Sequence, residues 1–136
     1  MAEKFRTSAE TINIEVNDAG DIIQLPLSDE AFIKRFYDFT NAIQQKGDEL
    51  SEEKLSGMED SEKIILDINY HEFLKAEFEK LFGEKSYEKV FGDNVLVSVE
   101  YVMEFIEACM PYITQHTQKR IEKFSKYSAN RQGSSL

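Results

Sequence analysis

Residues 11–26 read TINIEVNDAGDIIQLP, and this stretch decides the fold class. On both sides of the run Asn17-Asp18-Ala19-Gly20, apolar residues alternate with polar ones, which is the period-two pattern of half-buried strands. The run itself consists of turn formers, and Gly20 can adopt the positive φ that a tight turn needs. We therefore predict a β-hairpin whose strands cover about 11–17 and 21–26.

An apolar stripe at helical spacing follows the hairpin. It predicts a first helix over about 29–46, which is capped by the hydroxyl of Ser28 and closed by Gly47. The acidic residues 48–60 lack a clear period, so we predict a connector there that holds a short helical turn around Glu52 to Leu55.

Two further helical segments each end in a Phe-Gly pair. A second long helix is predicted over about 62–82, capped by Ser61 and stopped by Gly83. A short turn from Ser86 to Phe91 follows, and Gly92 ends it. Four apolar residues of the long helix fall near one line and three lie beside it, namely Ile64, Ile68, Phe78 and Phe82, with Tyr70, Leu74 and Leu81.

The last helix is predicted to begin near Val95 or Val99 and to continue past Pro111 with a kink or a short break, because proline removes one intrahelical hydrogen bond. Its apolar pattern resumes beyond the proline at Ile121 and Phe124. The part of this helix before Ile121 carries a stripe that is predicted to be buried. It consists of Val99, Val102, Met103, Ile106, Met110 and Ile113, flanked by Phe105 and Cys109.

These elements predict a single α+β domain over 11–127, mostly α, in which an N-terminal hairpin is followed by three main helices. Residues 1–10 are predicted to be a flexible N-terminus and residues 128–136 a disordered tail, because both stretches are polar. Two strands alone are marginal in water. The hairpin must therefore pack on the helices or pair with another copy of the chain through its edge, which would make a homo-oligomer.

The charge balance narrows the classes of partner. The 136-residue chain carries a net charge of −10, so we expect it to bind neither nucleic acid nor anionic membranes. The charge is segregated: residues 114–136 hold five basic residues against one acidic residue, while acid is densest at 48–62. Glutamates interrupt the most apolar stretch and no apolar run follows the N-terminus, which predicts a cytoplasmic protein without a membrane span.

No residue pattern predicts an enzyme, a metal site or a cofactor site. His71 begins like the zinc-protease helix motif, but Lys75 stands where the second histidine is needed. His116 has no acid or cysteine near it in the sequence. Cys109 lies between apolar residues, so we predict a core thiol, because a catalytic thiol needs an exposed, electropositive site.

Four short stretches carry a family resemblance: INIEV at 12–16, LFGE at 81–84, VFGD at 90–93 and KYSANR at 126–131. Their order resembles that of the small tail assembly chaperones of long-tailed phages, especially phages of Gram-positive hosts. The resemblance implies a non-enzymatic protein of the host cytoplasm that coats the tape-measure protein, recruits tail-tube subunits and is absent from the finished particle. The residues that match, and that it implies for partner binding, are Phe82, Gly83, Phe91, Gly92, Tyr127, Asn130 and Arg131.

A second hypothesis comes from the acidic stretch 48–62. Carboxylates spaced like phosphates can occupy the basic groove of a DNA-binding enzyme. The chain would then be an acidic DNA mimic that inhibits a host nuclease or restriction enzyme. Salt separates the two hypotheses, because screened charges hold the mimic whereas apolar contacts hold the client of a chaperone.

Overall fold

In the described part of the chain, residues 2–4 and 9–134 of the computed structural model, two strands are followed by five helices. At residues 52, 53 and 131–134 only the backbone is described. The hairpin comes first and three of the helices are long, which confirms the predicted α+β class with its N-terminal hairpin and three main helices.

The hairpin consists of β1 (Thr11–Glu15) and β2 (Ile22–Pro26), which pair antiparallel. Gly20 takes a φ of +86° in the turn, as predicted. The side chains of Ile23 and Leu25 in β2 are buried, whereas those of β1 are at most half-buried. The hairpin therefore packs on the helices through β2, and pairing with another copy through its edge stays a prediction.

The helices are α1 (Glu30–Glu49), α2 (Glu52–Leu55), α3 (Asp60–Phe82), α4 (Ser86–Phe91) and α5 (Val99–Ser134). The predicted stops at Gly83 and Gly92 are confirmed, because these glycines have φ values of +110° and +109°. The N–H of each donates a 2.8 Å hydrogen bond to a carbonyl four residues back. The predicted helical turn in the acidic connector is α2.

Two predicted caps and one predicted stop are wrong. The Ser28 hydroxyl accepts the N–H of Glu10 at 2.8 Å, so the next residue, Asp29, caps α1 through its carboxylate. Ser61 lies inside α3, whose N-cap is Glu59. Gly47 lies inside α1, which continues to Glu49, and a Cβ there would stand 3.7 Å from the hydroxyl oxygen of Tyr70.

The prediction of a disordered tail from residue 128 is wrong for 128–134, where α5 continues to Ser134. The helix runs through Pro111 without a break. Between Pro111 and Gly133 the sequence contains neither proline nor glycine, so an established helix can propagate. Residues 135–136, and residues 1 and 5–8 of the predicted flexible N-terminus, lie outside the described residues.

Phe78 of α3 stands at the centre of the core and is fully buried. Its ring centroid lies 4.7–6.3 Å from the rings of five residues on four helices, namely Phe39, Phe82, Tyr87, Phe91 and Phe105. Edge and tilted arrangements of this kind stabilise beyond area burial alone. This aromatic cluster joins α1, α3, α4 and α5.

Burial in α3 is confined to the part of the helix from Tyr70 onward. The buried residues are Tyr70, Leu74, Phe78 and Leu81, whereas Ile64 and Ile68 are exposed. None of residues 60–69 is buried, although Leu66 is half-buried beside the end of α1. In α5 the buried residues are Val102, Ile106, Cys109 and Ile113.

Replacing Phe78 by alanine should lower the free energy of unfolding by about 3–5 kcal/mol, because the cavity removes ring contacts to four helices at once. Tyr101→Ala is the control, since this exposed residue of α5 should change stability by no more than about 0.5 kcal/mol. Urea unfolding followed by circular dichroism measures both. Equal losses would contradict the central place of Phe78.

Candidate functional site

The two histidines lie far apart in the structure, and each has a partner. His116 Nδ1 lies 2.9 Å from Oε2 of Glu10, a residue 106 positions earlier, which sequence reasoning missed. His71 Nδ1 lies 2.8 Å from the carbonyl oxygen of Asp67. Among the described residues, no group of three or more His, Cys, Asp or Glu side chains is placed to hold a metal ion.

Cys109 is buried in the core, as predicted. Burial raises the pKa of its thiol to about 12, because the apolar surroundings disfavour the thiolate. A thiol with so high a pKa is a poor nucleophile at neutral pH. Of the described helices, none combines the length and apolar character that a membrane crossing needs.

The predicted partner-binding residues fall into two groups, of which the first serves the core. Phe82 and Phe91 are half-buried, and their ring centroids lie 4.7 Å and 5.4 Å from that of Phe78. Gly83 and Gly92 end the helices that carry these rings. All four residues thus have a packing role, and their contact with a partner stays a prediction.

An open groove lies beside the second of these glycines. Its walls come from α3 and from the loop that joins α4 to α5, and its volume is about 370 Å³. The lining residues are Glu72, Lys75, Ala76, Glu79, Asn94, Val95 and Leu96. A Cβ on Gly92 would lie 3.8 Å from Val95 Cγ2, so the glycine and the groove are direct neighbours.

A hydrogen bond from the loop to α4 helps to fix one wall of the groove. The N–H of Val97 donates to the hydroxyl oxygen of Tyr87 at 2.9 Å. Burial raises the pKa of Tyr87, and the Val97 bond acts in the opposite direction. The hydroxyl is therefore neutral at physiological pH. Val95 and Leu96, just before Val97, expose their side chains.

The second group of predicted residues lies on the C-terminal part of α5. Tyr127 and Asn130 are exposed there, while the side chain of Arg131 lies outside the described part of the chain. Ile121 and Phe124, which the sequence pattern placed on a resumed stripe, are exposed as well. The structure brings Tyr127 and Asn130 together on this helix but separates them from the groove beside Gly92.

The buried thiol makes stability depend on alkaline pH. In the unfolded chain the Cys109 thiol ionises near its ordinary pKa of 9.0, whereas in the folded chain it stays protonated up to about pH 12. The unfolded state then binds fewer protons, so the free energy of unfolding should fall between these values by about 1.4 kcal/mol per pH unit. Burial also raises the pKa values of Tyr70 and Tyr87, which act in the same direction.

Urea unfolding of the wild type and of Cys109→Ala at several alkaline pH values isolates the contribution of the thiol. The variant should be less stable at pH 8 but should lose stability less steeply above pH 9, since only the tyrosines then contribute. Identical slopes in both proteins would show that the thiol is not shielded from ionisation.

Comparison with known proteins supports a single assignment. No curated protein and no solved structure gave a significant match. One family model matches residues 10–135, from the start of the hairpin to the end of α5, and its description is "Family of unknown function (DUF6673)". The chain therefore belongs to the DUF6673 family.

Proposed function

We propose that this chain is a non-enzymatic tail assembly chaperone of a long-tailed phage, which acts in the cytoplasm of the host bacterium. It holds the tape-measure protein and recruits tail-tube subunits to it. The observation that carries the proposal is the open groove beside Gly92. It lies next to one of the two Phe-Gly turns on which the resemblance to these chaperones rests.

The chemistry of the groove suits an amphipathic helix. Ala76, Val95 and Leu96 offer an apolar surface, which can accept an apolar side chain of a client helix. Glu72 and Glu79 outnumber Lys75 at the groove, so a client with basic residues beside its apolar ones is favoured.

The small volume of the groove favours a client protein that offers many similar binding segments. A pocket of about 370 Å³ accommodates only one or two side chains and gives weak binding by itself. A long helical protein offers many similar segments, and many copies of the chaperone can then cover it. The net charge of −10 keeps such a coated complex soluble, because coated complexes of like charge repel one another and do not aggregate.

Affinity purification from an induced lysogen or an infected host tests the proposal. The wild type should retain a very long, helical phage protein together with tube subunits, and should keep them in about 1 M salt, where the Debye length is only about 3 Å. Leu96→Asp should lose most of this client, because a carboxylate in the groove opposes apolar contact.

Tyr112→Asp is the matched control. Tyr112 lies on α5 away from the groove and is 42% exposed, against 43% for Leu96, so the substitution adds the same charge to an equally exposed site. It should retain the client like the wild type. Recovery of a host nuclease that salt releases, from the wild type and Leu96→Asp alike, would refute the chaperone function and favour the acidic inhibitor.

A further inference from the structure

The last part of α5 is largely exposed, although its first residues still contact the start of α1. Among the residues of α5 whose side chains are described, up to Asn130, Ile113 is the last buried one, and every residue from 118 to 127 is exposed. At the base of this segment Arg120 Nε lies 2.7 Å from Oε1 of Glu30, the first residue of α1. We name residues 118–134 the arm. At 1.5 Å per residue its length is about 25 Å.

The arm carries an apolar stripe within a basic surface. Ile121, Phe124 and Tyr127 are between 57% and 72% exposed. At 100° per residue they fall within an arc of about 120° on the helix. Over residues 118–130 four basic side chains stand against the single acid Glu122. A surface helix ordinarily buries such a stripe against another element, so the stripe indicates a packing partner.

The first turns of α3 carry an apolar stripe within an acidic surface. Ile64, Ile65 and Ile68 are between 45% and 59% exposed, and they fall within an arc of about 100°. We name these three residues the isoleucine face. Over residues 59–68 four acidic side chains stand against the single base Lys63. The isoleucine face and the arm are therefore both apolar and opposite in charge.

One molecule cannot bring the two surfaces together. The ring centroid of Phe105 lies 5.5 Å from that of Phe78 and 5.2 Å from that of Phe82, while Tyr70 and Val99 line one cavity. α5 thus runs in the same direction as α3. The arm begins about 20 Å beyond Phe105, and the isoleucine face ends about 15 Å before Phe78 at the other end of the molecule.

The position of α1 confirms this separation. The ring of Phe32, near the start of α1, lies 6.3 Å from that of Phe82 at the end of α3. At the other end of both helices the Tyr70 hydroxyl donates to the carbonyl oxygen of Ile43 at 3.1 Å. Because α1 is antiparallel to α3, its contact with Arg120 places the arm beyond the C-terminal end of α3.

We propose that the arm of one copy packs on the isoleucine face of a second copy, so that copies of this chain associate head to tail. The apolar stripes supply the contact, and the opposite charges around them set its orientation. Contacts between unlike surfaces leave one of each free at the ends, so association continues into a ring or an open chain. The inference does not depend on the proposed function, since the groove of Val95 and Leu96 takes no part.

Analytical ultracentrifugation of two complementary variants tests the contact. Ile121→Asp/Phe124→Asp removes the arm surface, and Ile64→Asp/Ile68→Asp removes the isoleucine face. The mass of the wild type should rise with concentration beyond that of a dimer. Each variant alone should remain a monomer of 15.8 kDa, because every contact needs both surfaces and each variant lacks one of them. An equimolar mixture should form a dimer and stop there.

The mixture is decisive because each variant supplies the surface that the other lacks. Tyr101→Asp/Tyr112→Asp is the control, since it adds two charges to exposed residues of α5 outside the arm and should associate like the wild type. Thermal unfolding of every variant verifies that it is folded.

Three results would overturn the proposal. A wild type that stays monomeric at millimolar concentration shows that the two surfaces do not bind. Persistent dimers in the isoleucine-face variant alone show that arms pair with each other. If both variants associate as strongly as the wild type, another surface, such as the hairpin edge, makes the contact.

Discussion

The burial of Phe78 is the constraint on which the rest of the structure depends. Its ring contacts rings of α1, α4 and α5 as well as Phe82 of its own helix. The six-residue α4 is too short to be stable by itself, so Tyr87 and Phe91 hold it by packing on Phe78. Tyr87 in turn binds the N–H of Val97 and fixes the loop that forms the groove. The groove beside Gly92 therefore depends on the packing of the core around Phe78.

Features determined by neighbouring residues could be predicted from the sequence. The turn at Gly20 and the helix ends at Gly83 and Gly92 each require a positive φ, which glycine adopts without strain. Features that depend on distant residues could not. Ser28 is a good cap in isolation, but its hydroxyl binds the N–H of Glu10, so Asp29 takes the role.

The exposed apolar stripes and the groove likewise depend on distant residues. Ile64 and Ile121 continue apolar patterns in the sequence yet are exposed, because such a pattern reports only that one side of a helix is apolar. Whether another element covers that side depends on where neighbouring helices end, which one helix does not encode. The groove beside Gly92 was not predicted either, since its wall depends on the bond between Tyr87 and Val97.

The distribution of charge limits how copies of this chain can approach one another. At a net charge of −10, most relative orientations bring carboxylates together and are repulsive. The arm carries a net positive charge, and it lies at the opposite end of the molecule from the acidic start of α3. Head-to-tail contact therefore lowers the repulsion, whereas side-by-side contact raises it. The same segregation thus favours one direction of association, and the apolar stripes at both ends lie where that direction brings them into contact.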